Sequence, residues 1–219
     1  VSLTFHEDAH IYELDGAVVP SVTQILTRSG LIDFSKIPSF IREAALERGR
    51  KVHQAIHYYN ERDLDLDAFT RDFPLYAPYL FAWVHFCEQR RFVPVLNELR
   101  IASRRHRCAG TLDALGVLDG SAVLLDFKTG RPSDVASDLQ TAAYLGFALE
   151  WAGDGEHEPL RQFFAKHPVV RRYAVQLRRD ETFRVEPYAQ PSDFRDFLAL
   201  VTAQQIVAAR RGEAFEVAA

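Results

Sequence analysis

Two extended segments joined by Asp119-Gly120 constrain this chain more than any other stretch. Cys108 to Leu118 and Ala122 to Lys128 read as strands, and Asp-Gly between them is a strong hairpin turn. A third extended segment, Phe92 to Ala102, precedes them after a short turn, so three successive strands are expected in one sheet. Residues two apart on a strand face the same side. Asp126 and Lys128 therefore project together, with Phe127 turned the other way. When the two strands pair, Asp113 meets them across the ladder. Two carboxylates and one ammonium then converge on a small volume. Carboxylates are good ligands for a hard divalent cation such as Mg²⁺. A lysine beside such an ion can stabilise a phosphoryl oxygen or orient a water, which suits cleavage of a phosphodiester.

Other elements frame this hairpin. Leu3 to His6, Ile11 to Leu14 and Ala17 to Val19 read as short strands around tight turns, the second at Asp15-Gly16. Ser21 can cap a helix that starts there, with Gln24 closing a capping box. Ser39 to Asn60 carries most of an apolar stripe at helical spacing, from Ile41 to Tyr59. Asp63 to Asp72 reads as an acidic connection, and Leu75 to Arg90 as a hydrophobic helix interrupted early by Pro78. Further on come a helix over Ser133 to Trp151 and a loop over Gly153 to Pro159. Val169 to Leu177 and Thr182 to Tyr188 make a last strand pair, and Ser192 to Arg211 a final helix. The expected fold class is α/β, a mixed sheet flanked by helices with a helical N-terminal embellishment. One domain is expected over residues 1–219: a hairpin and helical part over 1–91, and an α/β core over 92–219.

The 219 residues are 47% hydrophobic and 26% charged, ordinary for a globular protein with a substantial core. No apolar run reaches the length of a membrane span and no signal peptide is apparent, so a cytoplasmic protein is expected. The net charge of −4 argues mildly against a nucleic-acid partner. The distribution softens this: Arg161 to Arg179 holds six basic residues and no acidic one, and Arg100, Arg104, Arg105 and Arg107 cluster before Asp113. Either run also suits a solvated face. Cys87 and Cys108 make neither a CxxC pair nor an iron–sulfur ligand set.

The pieces Pro20-Ser21-Val22-Thr23, Gly49 to His53, Gly110 to Asp113, Asp126 to Thr129 and Gln140 to Tyr144, in this order and spacing, resemble the PD-(D/E)XK nuclease superfamily in its RecB-like exonuclease branch. The resemblance covers about Pro20 to Leu149 and is similar to the mitochondrial genome maintenance and phage exonucleases. It implies a restriction-endonuclease-like core, most often bacterial or phage-encoded, that hydrolyses DNA with one or two Mg²⁺ or Mn²⁺ ions and no iron–sulfur cluster. His53, Asp113, Asp126 and the Phe127 carbonyl are then metal ligands, and Lys128 is the catalytic lysine. Gln140 and Tyr144, one helical turn apart, position the backbone or support the catalytic strand. Glu98 stands where some relatives carry an acidic residue. The branch implies exonuclease action on single-stranded DNA or DNA ends, with a helicase or recombination partner conceivable. Ser21, Thr23, Arg100, Thr129 and Arg131 are candidate substrate contacts, although Ser21 and Thr23 also suit a helix cap. His57 competes with His53 for the ligand role. Tyr58, Tyr59, Phe81 and Trp83 are candidates for base stacking but equally suit a helix core. An endonuclease with the same site, and a nucleic-acid-binding module without catalysis, are the alternatives.

Overall fold

The computed structural model describes residues 2–7, 9–33, 35, 37–132, 136–155, 157–213 and 215. Three short strands, β1 (Leu3–His6), β2 (Ile11–Leu14) and β3 (Ala17–Val19), pair antiparallel in a small sheet of their own. Asp15 (φ +50°) and Gly16 (φ +81°) make the turn between β2 and β3, both in the left-handed region such a turn requires. Four helices follow: α1 (Val22–Arg28), α2 (Ser39–Asn60), α3 (Leu66–Asp72) and α4 (Ala77–Arg90). Strands β4 (Val93–Ser103), β5 (Cys108–Leu118) and β6 (Ser121–Lys128) then form an antiparallel meander. Helices α5 (Ser137–Gly153) and α6 (Glu158–Lys166) cross over to β7 (Arg171–Leu177), which runs parallel to β6. Strand β8 (Phe183–Tyr188) returns antiparallel at the sheet edge, and α7 (Asp193–Arg211) follows.

The larger sheet has the order β4-β5-β6-β7-β8, a mixed α/β arrangement with helices on both faces. One core joins Leu124 to Phe147, Phe163 and Phe197 of α5, α6 and α7, with Ile25 of α1. The other joins Phe127 to Ile56 of α2, Phe69 of α3 and Trp83 and Phe86 of α4. Strand β6, central and covered on both sides, is buried from Ala122 to Phe127, as a strand with helices over both faces must be. Among the described residues no helix is long and apolar enough to cross a membrane.

Four expectations need correction. Residues 63–72 are not simply a connection. The Asp65 side chain accepts from the Ala68 N–H and starts α3, whose Phe69 is buried. Pro78 does not interrupt its helix but lies in the first turn of α4, where its missing N–H costs no hydrogen bond. Pro159 likewise sits in the first turn of α6, not in a loop, and the His157 ring accepts the Leu160 N–H at 3.1 Å. The expected helix over 133–151 begins at Ser137; residues 133–135 lie outside the described residues.

Candidate metal centre

The site forms where β5 and β6 part. Their ladder ends at the pair Ala114–Leu125. Continued, it would place Asp113 opposite Asp126 and turn both polar groups of the Phe127 main chain toward β5. Instead the Phe127 N–H donates to Asp113 Oδ2 at 2.5 Å, and the Phe127 carbonyl accepts from His53 Nε2 at 3.1 Å. Buried backbone groups need partners, and here two side chains supply them.

His53 comes from α2, seated by the buried neighbours Val52, Ala55 and Ile56. Its Nδ1 lies 3.3 Å from Glu98 Oε1 and 3.5 Å from Asp113 Oδ1. Glu98 lies inside β4 yet has φ +46°. Its neighbours pair normally, Asn97 with Ala114 and Leu99 with Leu112, so by count Glu98 stands opposite Asp113. A non-glycine residue at positive φ within a strand is strained, and such strain collects at functional sites. A chain of hydrogen bonds holds this kink against α2. Trp83 Nε1 donates to Asn60 Oδ1 (3.0 Å), Asn60 Nδ2 to Asn97 Oδ1 (2.8 Å), and Asn97 Nδ2 to Glu61 Oε1 (3.3 Å).

One ligand atom each from His53, Glu98 and Asp113 lies within 4.8 Å of the others. Burial alone would lower the His53 pKa, but Asp113 and Glu98 outweigh it and hold the imidazole well above its usual range. Nε2 donates to a carbonyl while Nδ1 faces two carboxylates, a setting that favours the protonated ring. Beside it, Asp126 Oδ2 is buried; it lies 2.9 Å from Lys128 Nζ but receives no well-directed hydrogen bond. An imidazole, two carboxylates, a carbonyl and an underused carboxylate oxygen fit a divalent cation.

Asp126 does not belong to the trio. Its Oδ1 accepts from Lys128 Nζ at 3.0 Å, and the same ammonium donates to Gln140 Oε1 at 3.1 Å. Gln140 Nε2 in turn donates to Tyr144 Oη at 3.0 Å, one turn along α5. Burial pushes the Asp126 carboxyl up to about 6, and Asp113 adds to this while Lys128 opposes it. Burial would lower the Lys128 pKa, but Asp126 and Asp113 raise it above its ordinary value. The Tyr144 ring lies flush on β5: a Cβ at Gly110 would meet its Cε1 at 2.6 Å.

The other candidates stand apart from this cluster. Ser21 is buried and spends its hydroxyl on the Gln24 N–H in a complete capping box, and Thr23 is exposed on α1. Arg100 is paired with Glu7 at 2.9 Å and stacked on Phe5. Thr129 and Arg131 follow β6, the first half-buried and the second exposed. His57, one turn after His53, keeps a buried Nδ1 with no hydrogen-bond partner among the described residues and is outside the trio. Trp83 is fully buried and cannot stack on a base. Nor is the run from Arg161 to Arg179 one basic face. Arg172 is buried against Asp193 (2.6 Å), and Arg161 pairs with Glu158 (2.7 Å). Sequence reasoning missed Asn60, Asn97 and the Tyr12–Thr111 hydrogen bond (2.8 Å) two residues before Asp113, none of which carries a local signal.

No family model and no curated protein matches the chain. Solved structures do, among them a crystal structure of a "Putative exonuclease" from Eubacterium rectale. The match has 13% sequence identity and a TM-score of 0.45, covering 91% of this chain and 77% of that one.

Proposed function

We propose that this chain is a divalent-metal-dependent nuclease that hydrolyses phosphodiester bonds in DNA, acting as one nuclease domain. The observation that carries the reading is the convergence of the His53–Glu98–Asp113 trio with the Asp126–Lys128 pair around one stretch of main chain. His53, Glu98 and Asp113 would hold the cation, with Asp126 and the Phe127 carbonyl in reach. Mg²⁺ suits the carboxylates, and the imidazole makes Mn²⁺ equally natural. When bound, the ion supplies Lewis acidity and positive charge at the phosphate.

The remaining work falls to the chain. Lys128 is held by Asp126 on one side and Gln140 on the other, so its third proton points in a fixed direction. A fixed ammonium in a partly desolvated site stabilises a phosphoryl oxygen as charge develops, without reorganising. Asp126 raises the pKa of that lysine and so keeps it charged. Tyr144 braces Gln140 and, through it, the lysine. For cleavage mode, the reading favours an exonuclease acting on single strands or ends, following the sequence resemblance.

The test is incubation with Mg²⁺ or Mn²⁺ on end-labelled linear and on circular DNA, with Lys128→Ala alongside. Loss of linear DNA only, abolished in Lys128→Ala, supports the whole reading. Cutting of circles keeps the chemistry but replaces exonuclease with endonuclease. An active, folded Lys128→Ala protein refutes the mechanism. Binding without cleavage in either metal makes the chain a binding module.

A further inference from the structure

The sheet face that carries Lys128 continues beyond it. Register places Gln176 of β7 beside Lys128, and Arg184 of β8 beside Gln176. Adjacent strands lie about 4.8 Å apart, so this row extends about 10 Å from the lysine strand. Arg178, one residue past β7, keeps the alternation: its N–H donates to the Thr182 carbonyl at 3.0 Å and continues the ladder. The opposite face of the two strands is apolar core, with Val175, Leu177, Phe183 and Val185 packed against the α4 side. Lower on the Lys128 face, Arg172 closes the sheet against α5 and α7 through Asp138 O and Asp193. Above that level the row is polar, with Gln176 and Arg178 half-buried and Arg184 exposed. Gln176 is half-buried, and its amide makes no hydrogen bond among the described residues. Arg184 is held by Glu186 at 2.6 Å, with the acid the more buried of the two at 26% exposure against 56%. Of the acids at the hairpin tip, Asp180 is turned back onto the Thr182 hydroxyl at 2.6 Å.

We infer that Gln176, Arg178 and Arg184 form a phosphate-binding shelf that carries the nucleic-acid backbone next to the bond being cut. The inference deepens the nuclease reading and rests on it. An unpartnered amide beside the catalytic lysine can donate to a phosphate oxygen, and a guanidinium fork matches two of them. Glu186 orients the Arg184 fork and leaves its remaining donors toward solvent. Such contacts position a strand and carry no sequence preference.

The test is binding of a fluorescent single-stranded oligonucleotide by anisotropy across a salt series, in EDTA so that nothing is cut. Each lost phosphate contact on single-stranded DNA lowers the slope of log K against log salt by about 0.7. Arg178→Ala/Arg184→Ala should therefore bind at least tenfold more weakly and lose about 1.4 from the slope. Arg178→Lys/Arg184→Lys should keep the wild-type slope. Gln176→Ala should weaken binding with the slope unchanged. Arg195→Ala, an exposed arginine on α7, is the charge control and should change neither quantity. Thermal melting confirms that each variant is folded. A double alanine variant with wild-type affinity and slope, or an equal loss in Arg195→Ala, overturns the shelf while leaving the nuclease standing. A wild type that neither binds nor cuts DNA removes both.

Discussion

Replacing Gly110 by alanine should destabilise the protein and slow cleavage together, because the added Cβ would lie 2.6 Å from Tyr144 Cε1. The backbone of Gly110 is outside the left-handed region, so conformation does not forbid a side chain. Overpacking a filled site costs about 1–3 kcal/mol. Against this, alanine gains about 0.5–1 kcal/mol over glycine within a strand. At mid-range the expected net loss is about 1 kcal/mol. In a Tyr144→Ala background the clash is gone and only the gain remains, so Gly110→Ala should then stabilise by about 0.5–1 kcal/mol. The sign of one substitution thus depends on the other, with a coupling of about 1–3 kcal/mol. Urea melts of the four proteins, with equal m-values, measure it. Displacing the ring also moves Gln140, whose Oε1 lies 3.1 Å from the Lys128 ammonium. Small misplacements of such groups can cost about 100-fold in rate. Equal losses in both backgrounds would refute the claim that Tyr144 requires the glycine.

Three further outcomes follow from the packing and the charges. Arg172→Leu should lose about 3–5 kcal/mol in urea melts, since it leaves the Asp193 carboxylate buried and unpaired; Arg172→Leu/Asp193→Leu should recover much of that. Asn60→Ala strands the Trp83 indole N–H and should cost about 1–3 kcal/mol by the same assay. The third concerns pH. The folded pKa of His53 is raised, so its charged form stabilises the metal-free protein fully below the ordinary value of 6.5. That contribution disappears as pH rises through the raised pKa, so the melting-temperature advantage over His53→Gln should shrink toward alkaline pH. Mn²⁺ affinity should move the opposite way, strengthening as pH rises, because the ligand imidazole must give up a proton. Affinity independent of pH would contradict this.

The hairpin that builds the site was legible because strand alternation and an Asp-Gly turn are local signals. The same alternation that put Asp126 and Lys128 on one side put Phe127 in the core beside Trp83. The capping box at Ser21 and the limits of α2 were legible for the same reason. Helix α3 was hidden because its acidic residues resemble a solvated linker, while Leu66, Phe69 and Phe73 keep helical spacing against the core. Helix α6 was hidden because Pro159 reads as a breaker unless the preceding cap is known. Glu98 depends on a backbone kink that no periodicity predicts. Arg172 reads as one more basic residue until the fold supplies Asp193, 21 positions later, as its partner. For Glu98 and Arg172 the deciding contact is remote in sequence.

The most direct test of the central claim is a calorimetric Mn²⁺ titration of the wild type beside Asp113→Asn and Lys128→Ala. The account predicts saturable binding by the wild type and by Lys128→Ala, and at least a tenfold loss of affinity in Asp113→Asn. Wild-type affinity in Asp113→Asn, with melting showing it folded, would contradict the assignment of His53, Glu98 and Asp113 as the metal centre.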